Sequence, residues 1–199
     1  MDRPILFDIP MPITTPRLVL RSPQPGDGAE LNAAILETFD ELHVWMPWAS
    51  QRPTLDDSEE NVRRAHAKWI LREDLRLSIF DRASGKLAGS TGLHRINWDL
   101  PSFEIGYWLR KSFMGTGYAT ESTNALTRYA FQQLKAKRVE VRCNAQNERS
   151  LAVFKRLAFE YEGCLRNNDT HANSSIENRD TLVYSRINAD GLPALEAKW

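Results

Sequence analysis

The sequence predicts a mixed α/β (α+β) fold, and three observations carry that prediction. In the middle of the chain apolar residues alternate with polar ones, as at Leu75, Leu77 and Ile79, the period of a strand with one buried face. On either side they return at three- and four-residue spacing, as at Val62, Ala65, Trp69 and Ile70 or at Ala125, Leu126, Tyr129 and Ala130, the period of an amphipathic helix. The chain has 199 residues, 42% hydrophobic and 26% charged, enough to bury a core and too apolar for a disordered chain. An antiparallel meander followed by a strand–helix–strand–helix–strand series makes the sheet mixed. No linker interrupts it, so one domain is expected over residues 1–199, with its core at about 15–187.

Pro16 to Ser22 reads as the first strand, with Leu18 and Leu20 on one face. Pro25-Gly26-Asp27 breaks it and opens a helix through Ala29, Leu31, Ala34 and Ile35. His43-Val-Trp-Met-Pro-Trp48 is aromatic and interrupted by proline, which suits a loop or a short helix. Asp56-Asp57-Ser58 supplies cap residues for a second helix, and Glu59 and Glu60 suit the positive end of its dipole. After the strand at Leu75–Ile79, Ser84-Gly85 turns the chain into a return strand from Lys86 to Asn97, with a bulge expected at Gly89 or Gly92. Asp99-Leu-Pro101 leads to a third strand, Ser102 to Leu109. A helix is expected from Tyr118 to about Leu134, with Tyr118, Ser122, Ala125, Leu126, Tyr129 and Ala130 on one face. A Val-rich strand at Arg138–Asn144, a helix at Asn147–Leu157 with Leu151, Phe154 and Leu157 inward, and a strand at Phe159–Leu165 follow. Asn167 to Asn178 reads as a loop and Thr181 to Ile187 as the last strand.

Lys and Arg number 26 against 26 Asp and Glu, a balance that argues against a nucleic-acid coat or a membrane-surface binder. Cys143 and Cys164 share no metal-type spacing, so neither a metal site nor a disulfide framework is suggested. Met1 to Pro12 lacks a basic flank followed by an apolar run, and no run approaches bilayer-spanning length. A soluble, cytoplasmic protein is the expectation.

The most informative segment is Glu104-Ile-Gly-Tyr-Trp-Leu-Arg-Lys-Ser-Phe-Met-Gly-Thr-Gly-Tyr-Ala-Thr-Glu121. A strand feeds a turn with Gly115 and Gly117, and a helix starts at once. Backbone N–H groups at such a start have no intrahelical partner, glycines let a ligand come close, and the dipole favours anionic oxygen. That makes a phosphate cradle from backbone alone. It is not a P-loop, since Gly117 is followed by Tyr118 and Ala119 rather than Lys and Ser/Thr. Nor is it a dinucleotide fingerprint, whose third glycine is Thr120 here. Two glycines alone fit a helix cap equally well. A second motif, Asn147-Glu-Arg-Ser150 continuing through Phe154 and Arg156 to Phe159, shifts the balance.

With both motifs the chain resembles the GNAT family of acetyl-CoA-dependent N-acetyltransferases, and within it the RimJ/RimL branch, which acetylates N-terminal amines of ribosomal proteins. Thr15-Pro-Arg-Leu18, Trp45-Met-Pro-Trp48 and Ile105-Gly-Tyr-Trp108 also look like that branch. The resemblance implies a splayed, mostly antiparallel central sheet with helices on both faces. It implies acetyl-CoA as co-substrate, with Met114, Gly115, Thr116, Gly117, Tyr118, Ala119 and Thr120 at its pyrophosphate. Met114 stands where the family has Gln or Arg. Leu109 and Arg110 would pair through their backbone with the pantetheine arm, and the Asn147 amide would hold that arm from the other side. Arg110, Lys111, Arg149 and Arg156 are candidates to neutralise phosphate.

Moving an acetyl group from a thioester to an amine needs a neutral amine, a polarised carbonyl and a proton for the departing thiolate. Glu104 is the first candidate for proton acceptor and His94, on the neighbouring strand, the second. For the proton donor many GNAT enzymes place a Tyr where this chain has Phe154, whereas the RimJ/RimL branch resembles Ser150, whose alternative role is an ordinary first-turn cap. Cys143 fits core and not a nucleophile. Trp45, Trp48 and His43 could line the acceptor cleft, with Trp98 at its rim, though plain aromatic packing is the simpler account of each singly. An α-amine with a pKa of about 8 pays roughly 1.4 kcal/mol to be neutral at pH 7, against about 4.6 for a lysine side chain. A peptide or protein N-terminus is therefore favoured. A small amine (polyamine, amino acid or antibiotic) and a non-catalytic CoA-binding module stay open, as does a homodimer.

Overall fold

The computed structural model describes residues 3–169 and 179–199. Strands β1 (Ile13–Thr14), β2 (Leu18–Arg21), β3 (Leu75–Asp81), β4 (Leu87–Asn97), β5 (Ser102–Leu109), β6 (Arg138–Asn144), β7 (Glu160–Asp169) and β8 (Arg179–Arg186) form one sheet in the order β1-β2-β3-β4-β5-β6-β8-β7. Every neighbouring pair is antiparallel except β5–β6. That parallel pair spans only Ser102–Ile105 against Arg138–Val141. Beyond it the strands part, so Gly106 to Leu109 have a strand partner in β4 alone. This is the splay expected from the resemblance.

Helices α1 (Gly28–Trp45), α2 (Leu55–Leu71), α3 (Tyr118–Gln132) and α4 (Glu148–Arg156) cover both faces. Strand alternation divides the core accordingly. Leu75, Leu77, Ile79, Phe103 and Ile105 pack with Ala125, Leu126 and Tyr129 of α3 and Phe154 of α4. Phe80, Leu87 and Trp108 point the other way, toward Leu31, Ile35 and Leu42 of α1 and Val62 of α2. Among the described residues no helix is long and apolar enough to cross a membrane.

Several boundaries differ from the sequence reading. α1 continues through His43 to Trp45, so the aromatic segment begins inside a helix and becomes a turn only at Met46. α2 is capped two residues earlier than expected, by Thr54, which exchanges bonds with Asp57 as a capping box. Glu59 instead accepts from the backbone N–H groups of Gly26 and Gly28 at 3.0 and 3.1 Å, satisfying the start of α1. Ile70, expected inward, is 50% exposed. Of the expected loop, Asn167 to Asp169 extend β7, and the remainder lies outside the described residues. The bulge falls at Gly89, whose φ of 155° and close approach to the Trp108 carbonyl leave no room for a Cβ.

Candidate active site

On the α1/α2 face of the sheet the even-numbered residues of β3, β4 and β5 form rows. Arg76 pairs with Gly92 and Gly92 with Gly106, while His94 pairs with Glu104 one row along. Above them lies a cavity of about 730 Å³, walled by Trp45 and Trp48, by Arg142 and Cys143 of β6, and by Asn147 and Ser150 at the start of α4. The glycines make the floor bare. A Cβ at Gly92 would lie 2.8 Å from the His94 ring, and one at Gly106 3.2 Å from it, so the imidazole lies flat across both strands. Its Nδ1 is 2.7 Å from Asp74 Oδ2, which fixes its orientation.

Glu104 is largely buried, with Arg95 Nε at 3.0 Å and Arg142 Nε at 3.2 Å from Oε2. Burial raises the carboxyl above its usual range, and the two guanidinium groups only partly oppose the rise. Cys143 sits half-buried in the wall, and burial pushes its thiol up to about 12, which keeps it protonated and a poor nucleophile. Trp48 leans on Trp108 with ring centroids 6.3 Å apart, and the Trp45 ring lies beneath Arg179. His43 and Trp98 are placed elsewhere. His43 stacks on Phe39 and bonds to the Ala49 carbonyl, and the Trp98 indole donates to the Arg72 carbonyl.

Where β5 and β6 separate, the cavity opens toward α4. Asn147 caps that helix by accepting from the Ser150 N–H at 3.1 Å. Among the described residues nothing accepts from its amide nitrogen, which remains a donor toward the opening. Phe154 is buried beneath, with no hydroxyl to give.

The glycine turn lies past the end of β5. Gly115 and Gly117 have φ of 77° and 87°, the left-handed region. Among the described residues, no group accepts from the backbone N–H groups of residues 115–120. The turn is held from behind. Arg17 donates through Nη1 to the Thr116 carbonyl at 2.8 Å and through Nε to Glu121 at 2.6 Å, while Thr15 Oγ1 donates to Glu121 at 2.6 Å. Tyr118 turns its side chain inward, stacked on Phe113 with its hydroxyl on Asp81 at 2.6 Å, so it offers the turn only its backbone.

Of the four candidate phosphate cations, two reach this turn. Arg156 donates to Thr120 Oγ1 at 2.8 Å, and Arg149 lies 3.9 Å from Met114 Sδ. Arg110 is instead paired with Glu37 at 2.5 Å and Glu30 at 3.5 Å, and Lys111 with Glu41 at 2.8 Å. Both are bound to α1. The Arg110 N–H is also taken by the Ala88 carbonyl, so of the expected backbone pairing at Arg110 only the carbonyl remains. Six N–H groups in sequence with no acceptor among the described residues, a strand edge without a partner and a free amide donor suit a diphosphate followed by an amide-bearing arm.

Glu104, His94, Ser150, Asn147, Trp45 and Trp48 thus share one cavity, and Met114 to Thr120 form the exposed turn beyond it. Sequence reasoning missed Asp74, Arg76, Arg95, Tyr107 and Arg142. Arg76 and Arg95 were visible only as polar strand residues, Tyr107 only as part of Ile105-Gly-Tyr-Trp108, and Asp74 lies just before β3. Arg142 reaches Glu104 through the parallel β5–β6 pairing, which no local pattern encodes.

The Acetyltransferase (GNAT) domain family matches residues 17–160. YdaF of Bacillus subtilis (strain 168), a candidate ribosomal N-acetyltransferase, is 30% identical over 151 residues, 73% of this chain and 79% of that protein. The ribosomal-protein-serine acetyltransferase of Escherichia coli (strain K12) is 28% identical over 157 residues, 72% of this chain and 80% of that protein. Among solved structures, RimL, a ribosomal L7/L12 α-N-protein acetyltransferase in complex with coenzyme A, superposes with a TM-score of 0.81 at 24% identity, covering 90% of this chain and 97% of that one. The microcin C7 self-immunity acetyltransferase MccE, in complex with acetyl-CoA and AMP, superposes with a TM-score of 0.80 at 24% identity, covering 87% and 93%. By its family match, its splayed sheet and its outward-facing glycine turn, this chain belongs to the GNAT family of acetyl-CoA-dependent N-acetyltransferases.

Proposed function

We propose that the acceptor is the α-amine of a peptide or protein N-terminus, of the ribosomal-protein type, acetylated by direct attack. The observation that carries this reading is the composition of the cavity. The carboxylate on its floor, Glu104, already faces Arg95 and Arg142, a poor environment for a polycation. The acids near the aromatic turn are also spoken for, Asp40 by Arg52, Glu37 by Arg110 and Glu41 by Lys111. A weakly basic α-amine needs least help to become neutral. The branch resemblance and the name of the Escherichia coli relative support the same acceptor class.

Bound acetyl-CoA supplies an acetyl thioester. The N–H groups of residues 115–120, with Arg149 and Arg156, hold its diphosphate, and Asn147 with the free edge of β5 aligns the arm along the opening. Glu104, its carboxyl raised by burial, takes the proton from the amine, and His94 braced by Asp74 orients the acceptor beside it. Ser150 at the first turn of α4 faces the departing sulfur.

Peptides with Ser, Ala or Met termini, compared with spermidine, free amino acids and aminoglycosides using labelled acetyl-CoA, test the acceptor class. At least tenfold higher kcat/KM for one peptide terminus is expected, and turnover confined to small amines overturns the reading.

A further inference from the structure

We infer that Tyr107 is a further catalytic residue, the proton donor to the departing sulfur, acting beside Ser150. The inference rests on thioester aminolysis by this family and not on which amine is acetylated. Tyr107 lies two residues past Ile105, the last residue of β5 paired to β6, and lines the opening together with Cys143, Asn147, Ser150 and Phe154. Its hydroxyl is sealed from solvent, and among the described residues it has no hydrogen-bond partner of good geometry. An unpaired buried hydroxyl is unfavourable to folding, and such groups point to a partner that arrives later. Burial also drives the phenol well above its ordinary range, opposed only partly by the neighbouring Ser150, so it holds its proton throughout the working pH range.

Strand alternation adds the decisive geometry. Residues 104 and 107 differ by an odd number, so their side chains leave β5 on opposite faces. Glu104 faces the acceptor cavity, while Tyr107 packs against the core on the side of α3 and α4. Proton removal from nitrogen and proton delivery to sulfur are thereby assigned to the two faces of one splayed strand, with the reacting carbonyl in the gap between them. As the carbon–nitrogen bond forms and the carbon–sulfur bond breaks, the electron pair of the latter stays on sulfur. Tyr107 gives that sulfur its phenolic proton, and Glu104 holds the proton lost by the amine. Water restores the Tyr107 proton through the Ser150 hydroxyl, and Glu104 returns its own to solvent, so no proton is gained or lost overall.

Isothermal titration at pH 9, where part of the CoA thiol is ionised, compares CoA with desulfo-CoA on the wild type, Tyr107→Phe and Ser150→Ala. The wild type is expected to bind CoA at least fivefold more tightly than desulfo-CoA, and Tyr107→Phe to bring the two within twofold. The same variant is expected to lose at least thirtyfold in kcat while keeping KM for acetyl-CoA within threefold and a melting temperature no lower than the wild type. Equal wild-type affinities for CoA and desulfo-CoA overturn the assignment even if the variant does not fold. So does a Tyr107→Phe enzyme that keeps its kcat or its preference for CoA. Loss of all CoA binding by the wild type would instead sink the acetyl-transfer reading itself.

Discussion

At the glycine turn the chain presents backbone N–H groups, and its side chains work from behind: Arg17 holds the Thr116 carbonyl, Glu121 holds Arg17, and Thr15 donates to Glu121 in turn. In the cavity the arrangement is reversed. Backbone is cleared away by Gly92 and Gly106, and side chains from β3, β4, β5 and β6 do the facing. The difference follows from what each region must recognise. On the proposed reading a diphosphate, the same for every turnover, is met by a fixed array of dipoles. The acceptor and the moving protons require groups whose protonation changes, which only side chains supply.

The contrast is broken most severely at Glu104. Glu104→Gln keeps the shape of the floor and removes the proposed base, and kcat is expected to fall by about 10²–10⁴-fold with the Kd of acetyl-CoA unchanged. The pH profile gives the sign. The base works as the carboxylate, so activity is present above its folded pKa and is lost as pH falls through it. Because burial raises that pKa, the acidic limb lies above the ordinary Glu value of about 4.3, and Glu104→Gln abolishes it. An acidic limb that survives the substitution transfers the base role to His94.

How much was legible follows the same division. The turn is a local event, since Gly115, Gly117 and the helix start are contiguous in sequence, and their spacing alone excluded two other phosphate cradles. Its brace was not legible: Thr15 and Arg17 meet Glu121 only because the segment leading into β2 and the first turn of α3 fold together, and nothing in the local pattern of either segment says so. In the cavity, Glu104 and His94 were readable as polar residues on neighbouring strands. The register that sets them opposite each other, and the reach of Arg142 from β6, come from long-range pairing. Arg110 shows the limit from the other side. A basic residue next to a phosphate turn suggested a phosphate contact, and the acids of α1 hold it instead.

Loosening the brace sharpens the comparison with a middle-sized effect. Arg17→Ala leaves Glu121, 8% exposed, with only its Thr15 and backbone donors, at a stability cost of about 1–3 kcal/mol. The Thr116 carbonyl is freed, so the turn no longer presents a fixed array. KM for acetyl-CoA is expected to rise about tenfold, near 1.4 kcal/mol of binding, with KM for the acceptor unchanged and partial recovery in Arg17→Lys. A parallel rise in both constants would mean general loosening of the fold and not a brace specific to the turn.

The smallest expected effect is the most discriminating. Arg110, next to Lys111, is a basic side chain close to the turn in sequence, so a site dominated by side-chain charge should depend on it. Its guanidinium is already spent on Glu37 and Glu30, and Glu37 is held below the usual carboxylate range even though burial works the other way, by bonds from Arg110 and Ser112. Arg110→Ala therefore removes a partly exposed ion pair, with an expected stability change under about 1 kcal/mol. The Kd of acetyl-CoA, measured by titration at two salt concentrations, is expected to stay within threefold of the wild type with the same salt dependence. A tenfold loss with a shallower salt dependence would mean that Arg110 leaves α1 when the diphosphate arrives. The cofactor end would then be built from side-chain charge like the cavity, and the contrast between the two regions would disappear.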